Sequence, residues 1–355
     1  MADGQANIGV IGAGWWASQF HIPSLQAYEK ANLVAVADPD AAKLAATADH
    51  YGITETYADY QELLSSAGVD GVVIAVPHVY HHEIAKAALD AGVHVLVEKP
   101  MVLTAADARD LVDTADAANL HLMVGTTYQF TRNARKAQEI VQSGKIGTLL
   151  FVSGLFASMV ESYYRGNPDD YAPIFQYPVH GPAEDTYSDP KIAGGGQGQT
   201  QLSHGMGMVF WATGLRAVEV LALMENRDLA VDLVDAISYR LDNGAIGTMG
   251  ATGSLAPGQP QQQEFRYYGT EGFVLQELIH GKLSVHYNDG TSEDFPDLGE
   301  DELYPAHLPS QTLADLILGG EDNPAPGRTA AATVEFLEAA YRSAEQGRPV
   351  RVDEL

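Results

Sequence analysis

Gly12, Gly14 and Ala17 have the types and spacing that bind a dinucleotide. They form a G-x-G-x-x-A pattern that directly follows an apolar run, Asn7–Ile11, and directly precedes a helical stretch. In this pattern the first glycine permits a tight turn, the second lets the backbone approach a pyrophosphate, and the small third residue keeps helix and strand close together. Free N–H groups at the start of the helix would receive the phosphate charge.

A carboxylate after the second apolar run indicates which dinucleotide is bound. Asp38 directly follows the run Leu33–Ala37. At this position a carboxylate accepts hydrogen bonds from the ribose hydroxyls of NAD and repels the 2′-phosphate of NADP. Asp40 adds to the repulsion, and no arginine lies within several residues. We therefore expect NAD as the cofactor, although Asp38, Pro39 and Asp40 could instead form a turn that caps the next helix.

Apolar runs alternate with helical stretches through the first third of the chain. The runs are continuously apolar, as in parallel strands that are covered on both faces. They are Asn7–Ile11, Leu33–Ala37, Val72–Val76, Val93–Val97 and His121–Gly125. The helical stretches are Ala17–Lys30, Ala41–Tyr51, Tyr57–Ser66, His81–Ala91 and Ala105–Ala118. This alternation predicts a Rossmann domain with a doubly wound parallel sheet over residues 1–126.

The pattern changes to longer β-like segments after about Thr126. A helical stretch, Asn133–Ser143, comes first, and a helix rich in Ala and Leu, Thr329–Glu345, ends the chain. The strand candidates are Thr148–Ser158, Val231–Leu241, Ala245–Thr252, Glu264–Tyr268, Gly272–Glu277 and Lys282–Tyr287. Asn243 and Gly244 are typical of a type I′ hairpin turn. We predict a C-terminal α/β domain over residues 127–355, with a large, mostly antiparallel, open-faced sheet and a final helix that could pack back toward the first domain.

One long segment, Ser162–Gly196, has no clear period and is crowded with Tyr, Pro, Asp and Gly. A loop of this length in a compact domain is usually functional or disordered. Its many aromatic residues, among them Tyr187, argue against disorder. We expect the segment to close over a bound substrate.

The composition disfavours several classes of partner. A formal net charge of −27 repels phosphate backbones and anionic lipid surfaces, so we expect neither nucleic acid nor membrane as a partner. The absence of cysteine excludes disulfides, thiolate catalysis and Cys-ligated metals. Met1–Ala6 is short and polar and lacks the layout of a signal peptide, so a cytoplasmic location is expected.

Further motifs resemble those of one known family. They are His78–Ala85 (HVYHHEIA), Ala91–Pro100 (AGVHVLVEKP) and Tyr268–Gly272 (YGTEG). From Ile8 to the C-terminus the chain resembles the glucose–fructose oxidoreductase / inositol dehydrogenase / rhizopine-catabolism (Gfo/Idh/MocA) family, and Glu-Lys-Pro after the fourth strand is the most specific mark. The resemblance implies a Rossmann domain, a C-terminal domain with an open-faced sheet, and sugar- or polyol-like substrates.

The resemblance implies that Lys99 is the catalytic lysine, while Glu98 and Pro100 help to place the backbone beside the nicotinamide. A free lysine, with a pKa of about 10.4, is a poor base at neutral pH. Burial and the positive charge of NAD⁺ both disfavour the charged form of Lys99, so it can accept a hydroxyl proton when a base is needed. Taken alone, Glu-Lys-Pro would be read as a charged turn closed by proline.

The second catalytic residue that the resemblance implies is His204, after the glycine run Gly194–Gly196. Many relatives carry an aspartate four residues before this histidine, where the present chain has Thr200, and Gly207 replaces another frequent acid. His204 could therefore share the proton with Lys99 or only orient the substrate hydroxyl. The variant resembles the subgroup that oxidises ring hydroxyls of pyranosides.

The remaining expected site residues divide by ligand. Besides Gly12, Gly14, Asp38, Glu98 and Lys99, those expected at the cofactor are Trp15, Trp16, Pro39, Val76, Pro77, His78 and His81. Those expected at the substrate are Lys99, Tyr128, Tyr187, Thr200, Gln201 and His204. His78, His81 and His82 form a dense histidine cluster, but His82-Glu83 lacks the second histidine of a zinc helix, so packing or cofactor contact is expected there and no metal.

These observations favour an NAD-dependent dehydrogenase that moves a hydride between nicotinamide and a secondary hydroxyl of a sugar, cyclitol or glycoside. One alternative is a catalytically silent sugar sensor or co-regulator of the same fold, although such a protein has no need to keep Lys99. Another is a dihydrodiol- or biliverdin-type reductase. Because the open sheet face needs a cover, we expect a homodimer or homotetramer.

Overall fold

The apolar runs in the first third of the chain are strands of one parallel sheet in the computed structural model, which describes residues 4–355. The strands are β1 Ala6–Ile11, β2 Ala31–Ala37, β3 Thr56–Tyr57, β4 Gly71–Ile74, β5 His94–Val97 and β6 Leu122–Val124. Their order is β3-β2-β1-β4-β5-β6, and every pairing is parallel. The direction of winding reverses between β1 and β4, and in such sheets ligands bind at the carboxyl ends of the strands beside this point.

Helices occupy the connections between these strands. They are Ile22–Gln26, Ala41–Tyr51, Tyr60–Ser66, His81–Asp90 and Ala105–Ala118. The second and the last have the predicted bounds. Asp40 caps the helix Ala41–Tyr51, because its side chain accepts the N–H groups of Ala42 and Lys43. Thr104 caps the helix Ala105–Ala118, because its side chain accepts the N–H of Asp107. Short polar side chains at these two positions therefore fix where each helix begins.

The first helix is shorter and less regular than the predicted helix Ala17–Lys30. It opens with a π-helical turn, Ala17–His21, and ends at Gln26. In this turn a backbone N–H bonds to the carbonyl five residues earlier instead of four. Pro23 explains the wider turn, because proline lacks an N–H and its ring clashes with the carbonyl four residues earlier.

Two later segments fold with this first unit. It comprises residues up to Thr126 together with Pro168–Thr186 and Ala306–Ala331, which carries the helix Leu308–Ile317. The predicted boundary after residue 126 therefore coincides with the end of one segment. The predicted division into 1–126 and 127–355 does not include the two later segments in the first unit. Of the segment Met1–Ala6, the first three residues lie outside the described residues.

The second unit contains a sheet of nine strands. They are β7 Leu149–Ala157, β8 Ala217–Glu225, β9 Val234–Leu241, β10 Ile246–Thr252, β11 Gln262–Gly269, β12 Gly272–Glu277, β13 Lys282–Tyr287, β14 Ser292–Phe295 and β15 Val350–Arg351. Their order is β14-β13-β12-β11-β7-β10-β9-β8-β15, and among the described pairings of this second sheet only that of β7 with β10 is parallel. The predicted, mostly antiparallel sheet is confirmed.

Helices cover one face of this sheet. They are Arg132–Gln142, Ser203–Thr213 and Gly327–Gln346. Along β9 buried and exposed residues alternate strictly, and on the buried side Tyr239 packs against Phe336, with ring centroids 5.4 Å apart. The opposite side carries exposed residues, as in a sheet that has one covered and one open face.

Shorter helices lie in the remaining connections. They are Glu161–Tyr164, Ala172–Phe175, Pro190–Ala193 and Glu300–Leu303. Within residues 4–355, none of the helices combines the length and the apolar character that crossing a membrane would need.

The predicted hairpin between β9 and β10 is present, but its turn differs in type. A type I′ turn needs positive φ at two residues, and here Gly244 has a φ of +89° while Asn243 is not in the left-handed region. The Gly244 N–H bonds to the carbonyl of Leu241, and the Ala245 N–H bonds to the Asn243 side chain. The type I′ prediction is therefore wrong, because the asparagine side chain closes a three-residue loop instead.

Candidate active site

The glycine-rich turn after β1 leaves space for a dinucleotide phosphate. Gly12 has a φ of +100°, and a Cβ there would lie 2.2 Å from the carbonyl oxygen of Ala75. Only glycine fits this position. At Gly14 a Cβ would meet no described atom within 4 Å, so the backbone borders open space. The turn therefore fits the pyrophosphate of NAD.

Asp38 holds this turn, and it lies at the position where the sequence pattern predicts a ribose contact. Its Oδ2 accepts the N–H of Ala13 at 2.8 Å, and its Oδ1 accepts the N–H of Asp40 at 2.9 Å. The side chain is buried, yet each carboxylate oxygen has a second lone pair for a ribose hydroxyl. The turn-and-cap interpretation is thus confirmed, since Asp40 caps the following helix.

All of the expected cofactor residues follow the carboxyl ends of four neighbouring strands, β2, β1, β4 and β5. These ends meet at one edge of a parallel sheet. The residues are Gly12, Gly14, Trp15 and Trp16 after β1, Asp38 and Pro39 after β2, Val76, Pro77, His78 and His81 after β4, and Glu98 and Lys99 after β5.

The Glu98 side chain points into the protein interior and forms a hydrogen-bonded chain that the sequence did not indicate. Its Oε1 lies 2.9 Å from Nε2 of His21, and His21 Nδ1 lies 2.6 Å from Oγ of Ser310. The Oε2 accepts the backbone N–H of Lys99 at 3.1 Å. Because a carboxylate only accepts, His21 donates through Nε2 and, when neutral, accepts the serine proton through Nδ1. Glu98 therefore fixes the backbone of Lys99 from inside.

His81 links the turns that follow β4 and β5. Its Nδ1 lies 2.8 Å from the carbonyl oxygen of Pro100, and its Nε2 lies 2.9 Å from that of Val76. Burial lowers the pKa of His81, and the two carbonyl contacts oppose the shift. This arrangement supports the packing interpretation of His81, since both ring nitrogens face protein carbonyls.

Lys99 has the electrostatic setting that a base needs. Burial lowers the pKa of Lys99 from its ordinary value, and the negative charge of Glu98 opposes this shift. Part of the surface of Lys99 is accessible to solvent. The direction of the shift is the one that the sequence predicted.

The dense histidine cluster is spread over separate contacts. His78 packs edge-on against His81, with ring centroids 5.6 Å apart. The Nε2 of His82 lies 2.9 Å from Oδ2 of Asp110 on the neighbouring helix. In the part of the chain that the structure describes, no three His, Asp or Glu side chains are arranged to hold a metal ion.

In the second unit, the glycine run before His204 allows close packing against the hydroxyl of Tyr341 and the backbone of Asp232. A Cβ on Gly195 would lie 2.1 Å from the hydroxyl of Tyr341, and one on Gly196 would lie 2.0 Å from the carbonyl oxygen of Asp232. Any larger residue would push this turn away from its neighbours. The run therefore serves packing, a role that sequence reasoning missed.

The carboxylate of Asp232 holds the turn that contains the glycine run. Its Oδ1 accepts the N–H of Gly196 and the hydroxyl of Tyr341, both at 2.7 Å, and its Oδ2 accepts the N–H of Gly198 at 2.6 Å. The side chain is only 2% exposed. Three donors compensate the burial of its charge, so the carboxylate holds the start of the segment that leads to His204.

The hydroxyl of Thr200, four residues before His204, forms hydrogen bonds that stabilise the local fold. The Oγ1 donates to the carbonyl of Gly196 at 2.9 Å and makes a short hydrogen bond with the hydroxyl of Tyr164. Burial raises the pKa of Tyr164 well above its usual value, so this phenol stays protonated. Thr200 thus stabilises the π-helical turn Gly198–Leu202.

His204 is the second residue of the helix Ser203–Thr213, and its ring packs between two aromatic rings. It lies parallel to Phe156, with centroids 6.5 Å apart, and edge-on to Tyr128 at 5.9 Å. Burial raises the pKa of the Tyr128 phenol, so Tyr128 is neutral and can donate a hydrogen bond. The structure therefore brings together two of the expected substrate residues.

The other expected substrate residues of this unit lie nearby in sequence but have different neighbours. Tyr187 packs on Tyr163, with ring centroids 5.4 Å apart. Gln201 follows Thr200 in the π-helical turn and is partly exposed. Both side chains keep accessible surface, which a substrate contact requires.

Comparison with known proteins identifies the family. Residues 6–126 match the profile of the oxidoreductase family with an NAD-binding Rossmann fold, and residues 134–275 match that of the GFO/IDH/MocA C-terminal domain. The chain therefore belongs to the Gfo/Idh/MocA family. It is an oxidoreductase with an NAD-binding Rossmann domain, which confirms the predicted family, fold and cofactor.

Two curated relatives and one solved structure illustrate the similarity. The chain is 26% identical over 355 residues to D-xylose 1-dehydrogenase (NADP(+)) 2 of Haloferax volcanii, covering 97% of this chain and 99% of the relative. It is 30% identical over 149 residues to D-glucoside 3-dehydrogenase of Escherichia coli, covering 42% of each. An oxidoreductase from Agrobacterium radiobacter, solved with NAD⁺, L-tartaric acid and magnesium, has the same fold, with a TM-score of 0.76 at 21% identity over 99% of both chains.

We expect Asp235→Asn to stabilise the protein, and to do so more at about pH 8 than at about pH 4. Burial and the charge of Asp232 raise the pKa of Asp235 to about 9. Between the ordinary aspartate pKa of about 3.9 and this value, the folded state holds a proton that the unfolded state has released. The free energy of unfolding of the wild type therefore falls as pH rises, whereas asparagine does not titrate.

Thermal unfolding at several pH values measures this effect. Asp242→Asn, at an exposed position in the hairpin after β9, is the matched control and should leave the pH dependence unchanged. A difference in Tm between Asp235→Asn and the wild type that stays constant with pH would contradict the raised pKa.

Proposed function

We propose that the protein reversibly oxidises a secondary ring hydroxyl of a sugar, cyclitol or glycoside to a ketone, with NAD as the hydride acceptor. The observation that carries this proposal is the position of the partly buried Lys99 at the same sheet edge as Gly12, Gly14 and Asp38, where burial lowers the pKa of the lysine. Two relatives, named D-xylose 1-dehydrogenase and D-glucoside 3-dehydrogenase, support this class of substrate.

In the proposed reaction, bound NAD⁺ supplies the acceptor for the hydride that leaves the carbinol carbon. The Nζ of Lys99 takes the hydroxyl proton in the direction of oxidation and returns it in the direction of reduction. The positive charge of oxidised nicotinamide adds to burial in favouring neutral Lys99, and this charge is absent from NADH. One lysine can therefore act as base in one direction and as acid in the other.

We propose that His204 orients the substrate hydroxyl more than it moves the proton. Thr200 cannot act as the carboxylate partner that would raise the basicity of a histidine and fix its tautomer. Its hydroxyl instead bonds to Gly196 and Tyr164. Tyr128, Tyr187 and Gln201, together with Thr200, are the further proposed substrate contacts.

Replacing Lys99 should therefore cost more turnover than replacing His204. We expect Lys99→Ala to lower kcat by about 10²–10⁴-fold, the usual contribution of a general acid–base group, while NAD⁺ binding stays measurable. His204→Ala should lower kcat less and raise KM more, as expected for an orienting group. Steady-state kinetics of both variants tests this, and a His204→Ala enzyme without turnover beside an active Lys99→Ala enzyme would reverse the assignment.

We also propose that the enzyme prefers NAD to NADP, because Asp38 and Asp40 place two carboxylates at the ribose position. The ratio of kcat/KM for the two cofactors measures the preference. Asp38→Ser should bring the ratio of kcat/KM for NAD to that for NADP closer to one, since serine removes the charge but keeps an oxygen that can accept the Ala13 N–H. A wild-type preference for NADP, the cofactor in the name of the Haloferax relative, would refute this proposal.

A substrate screen that follows the absorbance of the reduced cofactor distinguishes the competing functions. Oxidation of a monosaccharide, inositol or glycoside supports the proposal. Turnover of only a cyclic dihydrodiol or a flat tetrapyrrole would favour the reductase alternative. Binding of a sugar without any turnover would favour a sensor, in which Lys99 has no catalytic task.

We further propose a homodimer or homotetramer, located in the cytoplasm, that assembles through the open face of the nine-stranded sheet. By strand register, this face carries exposed apolar residues that point to the same side, namely Leu221, Leu223, Val234 and Ile246. Leu223 is 74% exposed in the single chain. Contiguous apolar surface of this kind usually marks an interface.

Leu223→Asp should shift the protein toward a monomer of 38.0 kDa, as measured by light scattering at micromolar concentration. A charge placed in an apolar interface is costly, so association should weaken. Val79→Asp is the control, because Val79 is 42% exposed but lies in the unit that contains the Rossmann sheet and not on this face. A wild-type monomer would contradict the proposal outright.

A further inference from the structure

The segment Pro168–Thr186 belongs to the unit that contains the Rossmann sheet, whereas the chain on both sides of it belongs to the other unit. It is closed on itself by the hydroxyl of Tyr177, which donates to the carbonyl of Pro168 at 2.8 Å. Gly181 lies so close to the Tyr177 ring that a Cβ there would be 2.7 Å from two ring atoms. Tyr171 is completely buried and anchors the segment. The segment is therefore a packed, ordered loop with a defined position.

This loop lies against the start of the dinucleotide-binding helix. Trp15 directly follows Gly14, and its ring centroid lies 5.4 Å from that of Phe175 and 5.3 Å from that of Tyr177. The side-chain amide of Gln19 donates to the carbonyl of Phe175 at 3.0 Å. Aromatic contacts and a hydrogen bond thus hold the loop beside the backbone that receives the pyrophosphate.

The same loop brings a histidine near Asp40, which follows the second strand. His180 is the smallest of several causes that lower the pKa of the Asp40 carboxyl, and the main cause is the hydrogen bond from the Lys43 N–H. The Nε2 of His180 is buried and has no hydrogen-bond partner among residues 4–355. A buried polar atom without a partner is costly, so a ligand that satisfies it gains affinity.

We propose that Phe175, Tyr177 and His180 complete the binding site for the ADP half of NAD. Phe175 and Tyr177 hold Trp15 and the adjoining backbone in the conformation that binds the pyrophosphate. The unpartnered Nε2 of His180 forms a hydrogen bond with the adenosine ribose. This role depends only on NAD binding and not on the substrate, so it can hold or fail independently of the proposed oxidation.

Hydrogen exchange on the full-length wild type tests the placement with ADP-ribose, which lacks nicotinamide, and with no sugar present. The proposal requires added protection across residues 168–186 under these conditions. Protection that appears only after NAD⁺ and a sugar are both added would overturn it, because the loop would then close over the substrate as the sequence alone suggests. Because this experiment uses the wild-type protein, its result does not depend on whether a variant folds.

Calorimetric titration of variants with ADP-ribose tests the individual side chains. We expect Phe175→Ala and His180→Ala each to raise the Kd by about threefold to tenfold, the usual effect of one lost contact or hydrogen bond. His180→Gln retains a side-chain donor and should recover part of the loss. Ile174→Ala is the matched control, since this residue lies in the same loop and is 40% exposed. Unchanged Kd values for both Phe175→Ala and His180→Ala would overturn the proposal.

Discussion

The buried carboxylate of Glu98 connects the segments that position Lys99, the proposed catalytic lysine. It accepts hydrogen bonds from His21, which follows the glycine-rich turn, and from the backbone of Lys99, while Ser310 fixes His21 from the other side. Gly125 leaves room for it, since a Cβ there would lie 2.2 Å from Oε1. A buried charge is tolerated only when its lone pairs are satisfied. The interior of the domain therefore holds the Lys99 backbone in place before any ligand arrives.

Much of the fold can be predicted because its signals are local. The helices Ala41–Tyr51 and Ala105–Ala118 have capping residues directly before them, so the sequence alone locates their starts. The helix Ser203–Thr213 has no such signal. Nearly all of its residues are buried, so it is apolar on every side and lacks the amphipathic period that identifies a helix. Its existence depends on the sheet and helices that surround it.

The same distinction applies to the site. Gly12, Gly14 and Asp38 lie within one strand–helix–strand unit, and their spacing is enough to predict what they bind. The partners of other site residues come from distant parts of the chain, as Asp232 does for the glycine run and Ser310 for His21. No pattern in a single sequence pairs such residues, because only the packing of the folded chain brings them into contact.

The double use of Asp38 restricts how such a protein can change over evolutionary time. The side chain proposed to select the cofactor also secures the glycine-rich turn, since its oxygens accept the N–H groups of Ala13 and Asp40. An arginine in place of Asp38 would bind a 2′-phosphate through its positive charge, but it would remove both carboxylate oxygens that accept these N–H groups. A lineage that adopts NADP must first acquire another anchor for the turn. Cofactor preference is thus inherited together with local stability and shifts through intermediates, not through a single exchange.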